Sequence, residues 1–197
     1  MDNHKPHSRI PAHEVDAVFI DRWSPRAFLD KELSDEQVSS LFEAARWAPS
    51  CFNDQPWHFR YARSQADREL FAGPLVEKNR LWATKAPLLV YVCARQNFAN
   101  SSKPNRHGSF DAGAAWMSLA LQARRLGLYA HAMAGFDVKK AHEVLKLSEE
   151  KYDVMAAIAV GYRGSSSLLN LDMAAMEEPN GRKSYYDVAG EGAYPKE

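Results

Sequence analysis

Residues 111–126 read DAGAAWMSLALQARRL, a stretch in which apolar side chains predominate and alanine is the most frequent residue. An apolar run of this length predicts a helix that is buried on all sides. Gly127 is placed to end the helix, because glycine readily adopts the left-handed conformation common at helix C-termini. The large side chains Trp116, Met117 and Leu121 are therefore expected either in the core or at a dimer interface.

Strands are predicted on both sides of this helix. Residues 88–93 form a continuous apolar run, which is typical of a strand buried on both faces. A short strand is expected at 129–133 and a longer central one at 154–162. Aromatic residues alternate with other side chains in 57–62, which predicts a strand with one buried face and with His58 towards solvent.

Helices are predicted before and between these strands. Ser34 and Gln37 have the spacing of a capping box, which begins many helices, and Pro49 marks the end of that helix. Further helices are expected at 14–21 and 137–145, and one more between the first two strands. Helices and strands thus alternate, followed by an irregular tail, and this order predicts an α+β fold.

Length and charge limit the class of protein. The 197 residues suit one domain, placed at 14–197 after a polar N-terminal tail at 1–13. Lysine plus arginine and aspartate plus glutamate number 25 each, which argues against a dedicated nucleic-acid binder. Cys51 and Cys93 lack the spacing of a metal or redox motif, and no stretch is apolar enough to span a membrane. A cytoplasmic protein without disulfides is expected.

Common catalytic motifs are missing from the sequence. It contains no P-loop, no G-x-G-x-x-G after a strand and no G-x-S-x-G elbow. His142 and Glu143 lack the second histidine of a zinc-peptidase helix, and no other histidine pair has ligand spacing, so no metal site is expected. Classical kinase, hydrolase and zinc-enzyme functions are therefore disfavoured.

Positively charged residues near both ends of the chain are candidates for an anion site. Arg22 and Arg26 bracket residues 23–25 close to a helix end, and Arg182 and Lys183 lie in the C-terminal tail. The forked guanidinium group matches the geometry of a phosphate. Any one of these residues alone would be typical of a solvated surface charge, so the pattern supports only a general anion site.

A second candidate is the loop 48–57, which reads APSCFNDQPW. Two prolines fix its ends, and its centre offers a hydroxyl, a thiol and two amides directly before a strand. Amides hydrogen-bond well with the edges of heterocycles, and the same residues suit a tight turn that satisfies its own backbone. The spacing leaves both interpretations open.

Taken in order, several blocks of the chain resemble the FMN-dependent nitroreductase family. The two longest are RWSPRAF at 22–28 and ARWAPSCFNDQPW at 45–57. Shorter ones lie at 86–87, 111–113, 127–128, 133–137, 159–162 and 181–184. The resemblance implies a three-layer α+β sandwich, with a central mixed sheet wrapped by helices. It also implies an intertwined homodimer that binds FMN at the subunit interface.

The resemblance assigns cofactor contacts to three sets of residues. Those implied at the FMN phosphate are Arg22, Arg182 and Lys183. Those implied at the flavin ring, from the same subunit, are Trp23, Ser24, Arg26, Asn79, Ala134 and Gly135. Those implied from the partner subunit are Pro49, Ser50, Cys51 and Asn53. No side chain receives a catalytic role, because the chemistry would occur at flavin N5.

For four of these residues the resemblance also implies which atoms of the flavin they contact. Arg26 would lie at the N1/O2 edge of the flavin, where a cation stabilises the negative charge left by two-electron reduction. Asn79 would use its amide at the pyrimidine edge. Ala134 and Gly135 would offer backbone N–H groups to N5 and O4.

The chain departs from the family pattern at three points. Cys51 stands where a second serine is usual, and we expect a small packing residue there rather than a redox thiol. Ala134 replaces an acidic residue found in some relatives, and its implied backbone contact does not depend on the side chain. The chain is also short for the family, which leaves little room for substrate-lid helices.

The function implied by the resemblance is hydride transfer from NADH or NADPH through FMN to a second substrate. Nitroaromatics, quinones and activated alkenes are plausible acceptors in a ping-pong cycle. The alternatives are reductive dehalogenation or substrate oxidation on the same fold, a non-catalytic flavin-binding or sensing protein, and a domain that has lost FMN. For four residues the sequence is compatible both with lining the substrate pocket and with simple packing: His107, Phe110, Tyr185 and Tyr186.

Overall fold

A computed structural model describes residues 9–194, which form a sheet enclosed by helices. The helices are α1 (Ala17–Asp21), α2 (Asp35–Arg46), α3 (Gln65–Ala72), α4 (Glu77–Ala83), α5 (Gly108–Arg125), α6 (Val138–Leu145), α7 (Leu171–Ala174) and α8 (Tyr185–Val188). The strands are β1 (Trp57–Ala62), β2 (Leu88–Arg95), β3 (Tyr129–Met133) and β4 (Tyr152–Gly161). The predicted order of elements is confirmed, except that two helices rather than one separate β1 from β2.

The strands lie in the order β1-β2-β4-β3, and every neighbouring pair is antiparallel. Helix α5 carries the chain back across the sheet, so that β3 runs in the same direction as β2. Strand β4 is inserted between them and is antiparallel to both. The α+β fold is confirmed, with one correction to the mixed sheet. Within the described residues the sheet is antiparallel throughout, because β4 separates the two strands that run in parallel.

Strand β2 forms the centre of the core, as its continuous apolar sequence predicts. Leu88, Val90 and Val92 point to the side of α2 and α5. Leu89 and Tyr91 point to the opposite side, towards α3, α4 and α6. Helices therefore cover both faces of the sheet, and the three-layer arrangement follows.

Helix α2 begins at the predicted capping box. The backbone N–H of Gln37 donates to Ser34 Oγ at 3.1 Å, and the N–H of Ser34 donates to Gln37 Oε1 at 3.0 Å. The helix then buries Val38, Leu41 and Ala45 against the sheet and α5. Two hydrogen bonds at the start of the helix and an apolar stripe along it are sufficient local reasons for this element to form.

Helix α5 is not buried on all sides within one chain. Ala115 and Leu119 are buried, whereas Phe110, Gly113 and Met117 lie on a face that the described residues leave exposed. The sheet, α2 and α1 contact other parts of the helix, and within the described chain none of them covers the face that carries Phe110, Gly113 and Met117. His58 is exposed, as predicted.

The C-terminal tail contains more local order than the irregular segment that the sequence predicts. The short helices α7 and α8 lie within it, and α8 begins with a capping box at Ser184 and Asp187. Within residues 9–194, no helix is both long and apolar enough to cross a membrane.

Candidate cofactor site

The segment from Arg22 to Phe28, called loop 22–28 below, lies beside the end of β4. The backbone N–H of Gly164 donates to Ala27 O at 2.8 Å, and the N–H of Leu29 donates to Tyr162 O at 2.9 Å. The Phe28 ring is buried and stacks on the ring of Trp82 in α4. These contacts fix the backbone on which Arg22 and Arg26 are carried.

Glu177 also holds loop 22–28 in place. No sequence motif indicates this residue. Its side chain is only 3% exposed. Its Oε1 accepts hydrogen bonds from the backbone N–H groups of Arg26 and Ala27, both at 2.8 Å. A buried carboxylate is stable only when it is well paired, and here two backbone donors supply that pairing. Glu177 therefore links loop 22–28 to the start of the C-terminal tail.

The side chain of Trp23, a predicted flavin contact, is buried in the core. Its side chain is 4% exposed, with the Tyr129 ring 6.2 Å away edge-on and the Arg163 guanidinium 5.0 Å from its ring centre. The indole is thus part of the core and anchors loop 22–28. Any contact of Trp23 with a ligand would have to come from its backbone.

Three arginines meet where loop 22–28 approaches the tail, and they are called the arginine cluster below: Arg9, Arg22 and Arg182. Burial and then the positive charge of Arg182 lower the pKa of Arg22. Among residues 9–194, no carboxylate lies within ion-pair distance of any of the three. Lys183 lines the same cleft as Arg9 and Arg182, with a volume of about 610 Å³. The structure therefore brings the predicted phosphate residues together.

Arg9 is the member of the cluster that sequence analysis missed. Its Nε donates to Asn180 O at 2.7 Å, and its Nη1 donates to Ile20 O at 3.0 Å and to Arg22 O at 2.8 Å. The remaining nitrogen, Nη2, is buried and has no hydrogen-bond partner among the described residues. An arginine bound only to distant backbone carbonyls leaves no pattern in a sequence, so no motif could have indicated it.

Asn79, Ala134 and Gly135 form a second group, and the structure brings these three predicted residues together. Asn79 Nδ2 donates to Gly135 O at 3.0 Å. A Cβ on Gly135 would lie 2.7 Å from that nitrogen, so only glycine permits this approach. Within the described part of the chain, no group accepts a hydrogen bond from the backbone N–H of Ala134 or Gly135. Two N–H donors are thus available beside an amide.

His131 joins these two groups. It lies on β3, three residues before Ala134, and its Nδ1 is 2.8 Å from Pro25 O in loop 22–28. Burial lowers the pKa of His131 to about 4, opposed by the hydrogen bond with Pro25 and reinforced by the charge of Arg26. The imidazole is therefore neutral at pH 7, and its Nδ1–H donates to the Pro25 carbonyl. This hydrogen bond ties loop 22–28 to β3, the strand that leads to Ala134 and Gly135.

The loop from Pro49 to Gln55, called loop 49–55 below, carries the third group of predicted residues. Phe52, Asn53 and Gln55 have φ angles of 53°, 53° and 48°, in the left-handed region that L-residues rarely adopt. The N–H of Gln55 donates to Ser50 Oγ at 3.0 Å, and the N–H of Cys51 donates to Asp111 Oδ2 at 3.1 Å. Backbone strain of this kind persists only where surrounding contacts enforce it.

Asp54 connects loop 49–55 to three residues outside it. Its side chain, 5% exposed, accepts hydrogen bonds from Arg95 Nη2 at 2.9 Å, from the Ala99 N–H at 2.8 Å and from Asn105 Nδ2 at 3.1 Å. Burial would raise the pKa of Asp54, but the hydrogen bonds from Ala99 and Arg95 outweigh it and hold the pKa below its usual value. The conformation of loop 49–55 is thus built around an ionised carboxylate.

Within one chain, loop 49–55 does not join the other two groups. It leads into β1, whereas loop 22–28 and the Ala134–Gly135 turn lie at β3. These are the two edge strands, with β2 and β4 between them. Three strand spacings correspond to about 14 Å. Phe52 and Asn53 are exposed on that far side.

Comparison with known proteins agrees with this architecture. The model of the "Nitroreductase family" matches residues 20–80 and 64–162. A solved structure described as an oxidoreductase containing FMN is 38% identical, covers 98% of this chain and 100% of its own, and superposes with a TM-score of 0.91. The "Putative NADH dehydrogenase/NAD(P)H nitroreductase" of Streptomyces coelicolor is 29% identical over 151 residues, 67% of this chain and 75% of that protein.

A more distant structure shows the same fold. A nitroreductase family protein from Streptococcus pneumoniae TIGR4 is 22% identical and has a TM-score of 0.72, over 89% of this chain and 98% of that protein. The family model spans most of the chain, from the end of α1 to the end of β4, and includes loop 22–28, loop 49–55 and the Ala134–Gly135 turn. The chain therefore belongs to the nitroreductase family.

Proposed function

We propose that this protein is an FMN-dependent NAD(P)H oxidoreductase that acts as a homodimer. The observation that carries the proposal is the arginine cluster, which concentrates positive charge without an ion-pair partner among the described residues and includes a buried donor, Arg9 Nη2, with no hydrogen-bond partner among them. Such a cluster suits a phosphate, because charge-assisted hydrogen bonds would offset both the mutual repulsion and the unsatisfied donor. The 38% identical relative is described as containing FMN, which supports the same cofactor here.

The described residues fit both ends of FMN. Arg22, Arg182 and Lys183 would hold its phosphate. The Asn79 amide and the two available N–H groups of the Ala134–Gly135 turn would hydrogen-bond to the polar edges of its ring. When bound, FMN would supply the redox chemistry of hydride transfer from NADH or NADPH to an acceptor.

The protein's own part in the reaction is positioning and electrostatics. Arg26 follows Pro25 in the chain, and the neutral His131 hydrogen-bonds to the Pro25 carbonyl, so the imidazole adds no positive charge to that of Arg26. A cation there would favour a ring that has gained electrons. Ser24 would add a hydroxyl beside it. Hydride transfer depends on placing two rings against each other, which requires no protein acid or base.

The exposed residues of one chain support a site completed by a second copy. Phe110, Gly113 and Met117 leave an apolar strip on α5 uncovered, and Phe52 in loop 49–55 is 91% exposed. Large exposed apolar surfaces commonly mark an interface. Pro49, Ser50, Cys51 and Asn53 lie far from the arginine cluster of their own chain, so we assign their contacts to the FMN held by the partner. Tyr185 and Tyr186 remain candidates for the substrate side.

Nitroaromatics, quinones and activated alkenes are the classes of acceptor that we propose, reduced in a ping-pong cycle after the nicotinamide has left. We also propose a cytoplasmic location, supported by the unpaired thiols of Cys51 and Cys93.

An absorbance spectrum of the purified protein, taken anaerobically before and after addition of NADH or NADPH, tests the proposal. We expect a flavin spectrum that bleaches, and a dimeric mass by light scattering. Initial rates at several concentrations of both substrates should then give parallel lines in double-reciprocal plots. A flavin that neither donor reduces would indicate a sensor or a different donor. Failure to take up FMN would contradict the proposed function.

A further inference from the structure

Arg9 connects two parts of the chain that are far apart in sequence. On one side it donates to the carbonyls of Ile20 and Arg22, at the C-terminal end of α1. On the other side it donates to the carbonyl of Asn180, two residues before Arg182. The last carbonyls of a helix have no partner within the helix and carry partial negative charge, so a guanidinium is a suitable ligand for them. The side chain therefore acts as a bridge between α1 and the tail.

This bridge is formed against electrostatic repulsion. The pKa of Arg9 lies below its usual value because of burial and because of the positive charges of Arg182 and Arg22. Among the described residues three of its five N–H bonds have acceptors, and the buried Nη2 has none. A residue serving only as a structural clamp gains nothing from two neighbouring cations or from an unsatisfied donor. An anion beside the cluster would remove both costs.

We propose that Arg9 is a third arginine of the FMN phosphate site, and that it also fastens the tail bearing Arg182 and Lys183 to the loop after α1. The inference rests on the proposed FMN-dependent function. It implies that phosphate binding and tail docking are coupled. A phosphate that neutralises the cluster stabilises the bridge, and the bridge in turn keeps Arg182 and Lys183 beside the phosphate. Arg9 is thus both a binding residue and a positioning residue.

The first experiment distinguishes the contribution of the phosphate to binding from that of the flavin ring. Apo-protein carrying Arg9→Ala, Arg9→Lys or the native residue is titrated with FMN and with riboflavin, which lacks the phosphate. Arg60→Ala, an exposed arginine on the opposite edge strand, is the control for an equal change of charge. We expect Arg9→Ala to weaken FMN binding by about 10- to 100-fold and to leave riboflavin binding unchanged. Arg9→Lys should recover part of the FMN affinity.

The second experiment follows the tail directly. Trypsin cleaves after arginine and lysine, so cleavage after Arg182 and Lys183 reports whether the tail is docked. FMN or inorganic phosphate should slow this cleavage several-fold in the native protein, and Arg9→Ala should accelerate it and abolish the protection. Arg60→Ala should behave like the native protein in both respects.

The outcomes separate this inference from the proposed function. Unchanged FMN affinity in Arg9→Ala, or an equal loss for FMN and riboflavin, overturns the phosphate role. Unchanged tail cleavage overturns the fastening role. If the native protein binds neither flavin, the proposed function fails. Protection of the tail by inorganic phosphate that depends on Arg9 would then still support the anion site, and absence of that protection would overturn it.

Discussion

Loop 22–28 and loop 49–55 both carry predicted cofactor residues, and they differ in how their conformations are maintained. Loop 22–28 is held by buried aromatic rings, backbone hydrogen bonds to the end of β4, and the carboxylate of Glu177. Loop 49–55 has three residues in the left-handed region and depends on Asp54 and Asp111. The first is integrated into the core, whereas the second is a strained projection at the opposite edge. This difference fits a site whose rigid half belongs to one subunit and whose protruding half is offered to the other.

Replacing Glu177 should damage loop 22–28 most. In Glu177→Ala the backbone N–H groups of Arg26 and Ala27 lose their buried acceptor, and each unsatisfied donor is costly. We expect the free energy of unfolding to fall by about 3 kcal/mol. Urea denaturation measures the loss. Glu178→Ala, which truncates an exposed neighbour, should have little effect. Equal stability of the two variants would show that Glu177 does not maintain the loop.

Replacing Arg22 should remove function from the same loop without disturbing its structure. The side chain makes no ion pair within the described residues, so its loss leaves no buried carboxylate behind. We expect Arg22→Ala to raise the FMN dissociation constant by about 10- to 50-fold, roughly 2 kcal/mol, with the fold and the dimer retained. Equilibrium dialysis measures the affinity, and Arg106→Ala is the exposed control. Retention of FMN through extensive dialysis would contradict the assignment of Arg22.

Replacing Asp54 tests loop 49–55 in the way that replacing Glu177 tests loop 22–28. We expect Asp54→Asn to lower the free energy of unfolding by about 2 kcal/mol at pH 7, because charge-assisted hydrogen bonds with Arg95, Ala99 and Asn105 are weakened. The folded-state pKa of Asp54 is lowered, so its contribution to stability is present above the unfolded pKa of about 4 and is lost as pH falls through the folded value.

Denaturation at several pH values checks both parts of this expectation. The difference between native protein and Asp54→Asn should be constant near neutrality and should shrink below about pH 4. Asp30→Asn, at an exposed position in the first half of the chain, provides the control. A difference that grows with acid would mean that the ionised carboxylate is not the stabilising form.

The smallest effect is expected from relieving the strain itself. Gln55 has a φ of 48°, which glycine adopts without steric cost. We expect Gln55→Gly to raise the free energy of unfolding by about 0.5 kcal/mol, since relief of strain slightly exceeds the added entropy of the unfolded chain. Gln55→Ala removes the side-chain hydrogen bond to Asn53 O without relieving the strain, and should be neutral or destabilising. If Gln55→Gly and Gln55→Ala had the same free energy of unfolding, this would argue against strain at this position.

Local features of the fold were predictable, and features that depend on distant partners were not. The capping box of α2 and the bounds of β3 follow from neighbouring residues and agree with the structure. Helix α5 was expected to be buried all round because its sequence is apolar, and burial by a second chain has the same sequence pattern as burial in a core. The short-range pattern also gave no indication that β4 separates β2 from β3.

In the candidate site too, local motifs were predictable and contacts with distant residues were not. Arg22, Arg182 and Gly135 stand in blocks that resemble the family, whereas Asn79 does not, and the structure places the four residues in two groups. Arg9 and Glu177 act through backbone groups 171 and 151 residues away, and such contacts require no particular residue type at the other end. The sequence also could not show that the Trp23 indole faces the core instead of a ligand.

The insertion of β4 between β2 and β3 has a consequence for the order of events during synthesis. Loop 22–28 cannot reach its final position until residues 162–164 have emerged, because its backbone partners lie there. At typical translation rates this delay amounts to roughly 7 to 27 s. In the later part of that interval, after β2 has been made and before β4 has emerged, one edge of β2, the most apolar of the four strands, is unpaired and able to associate with other chains. Expression at lower temperature or with abundant chaperones should therefore improve the yield of this protein.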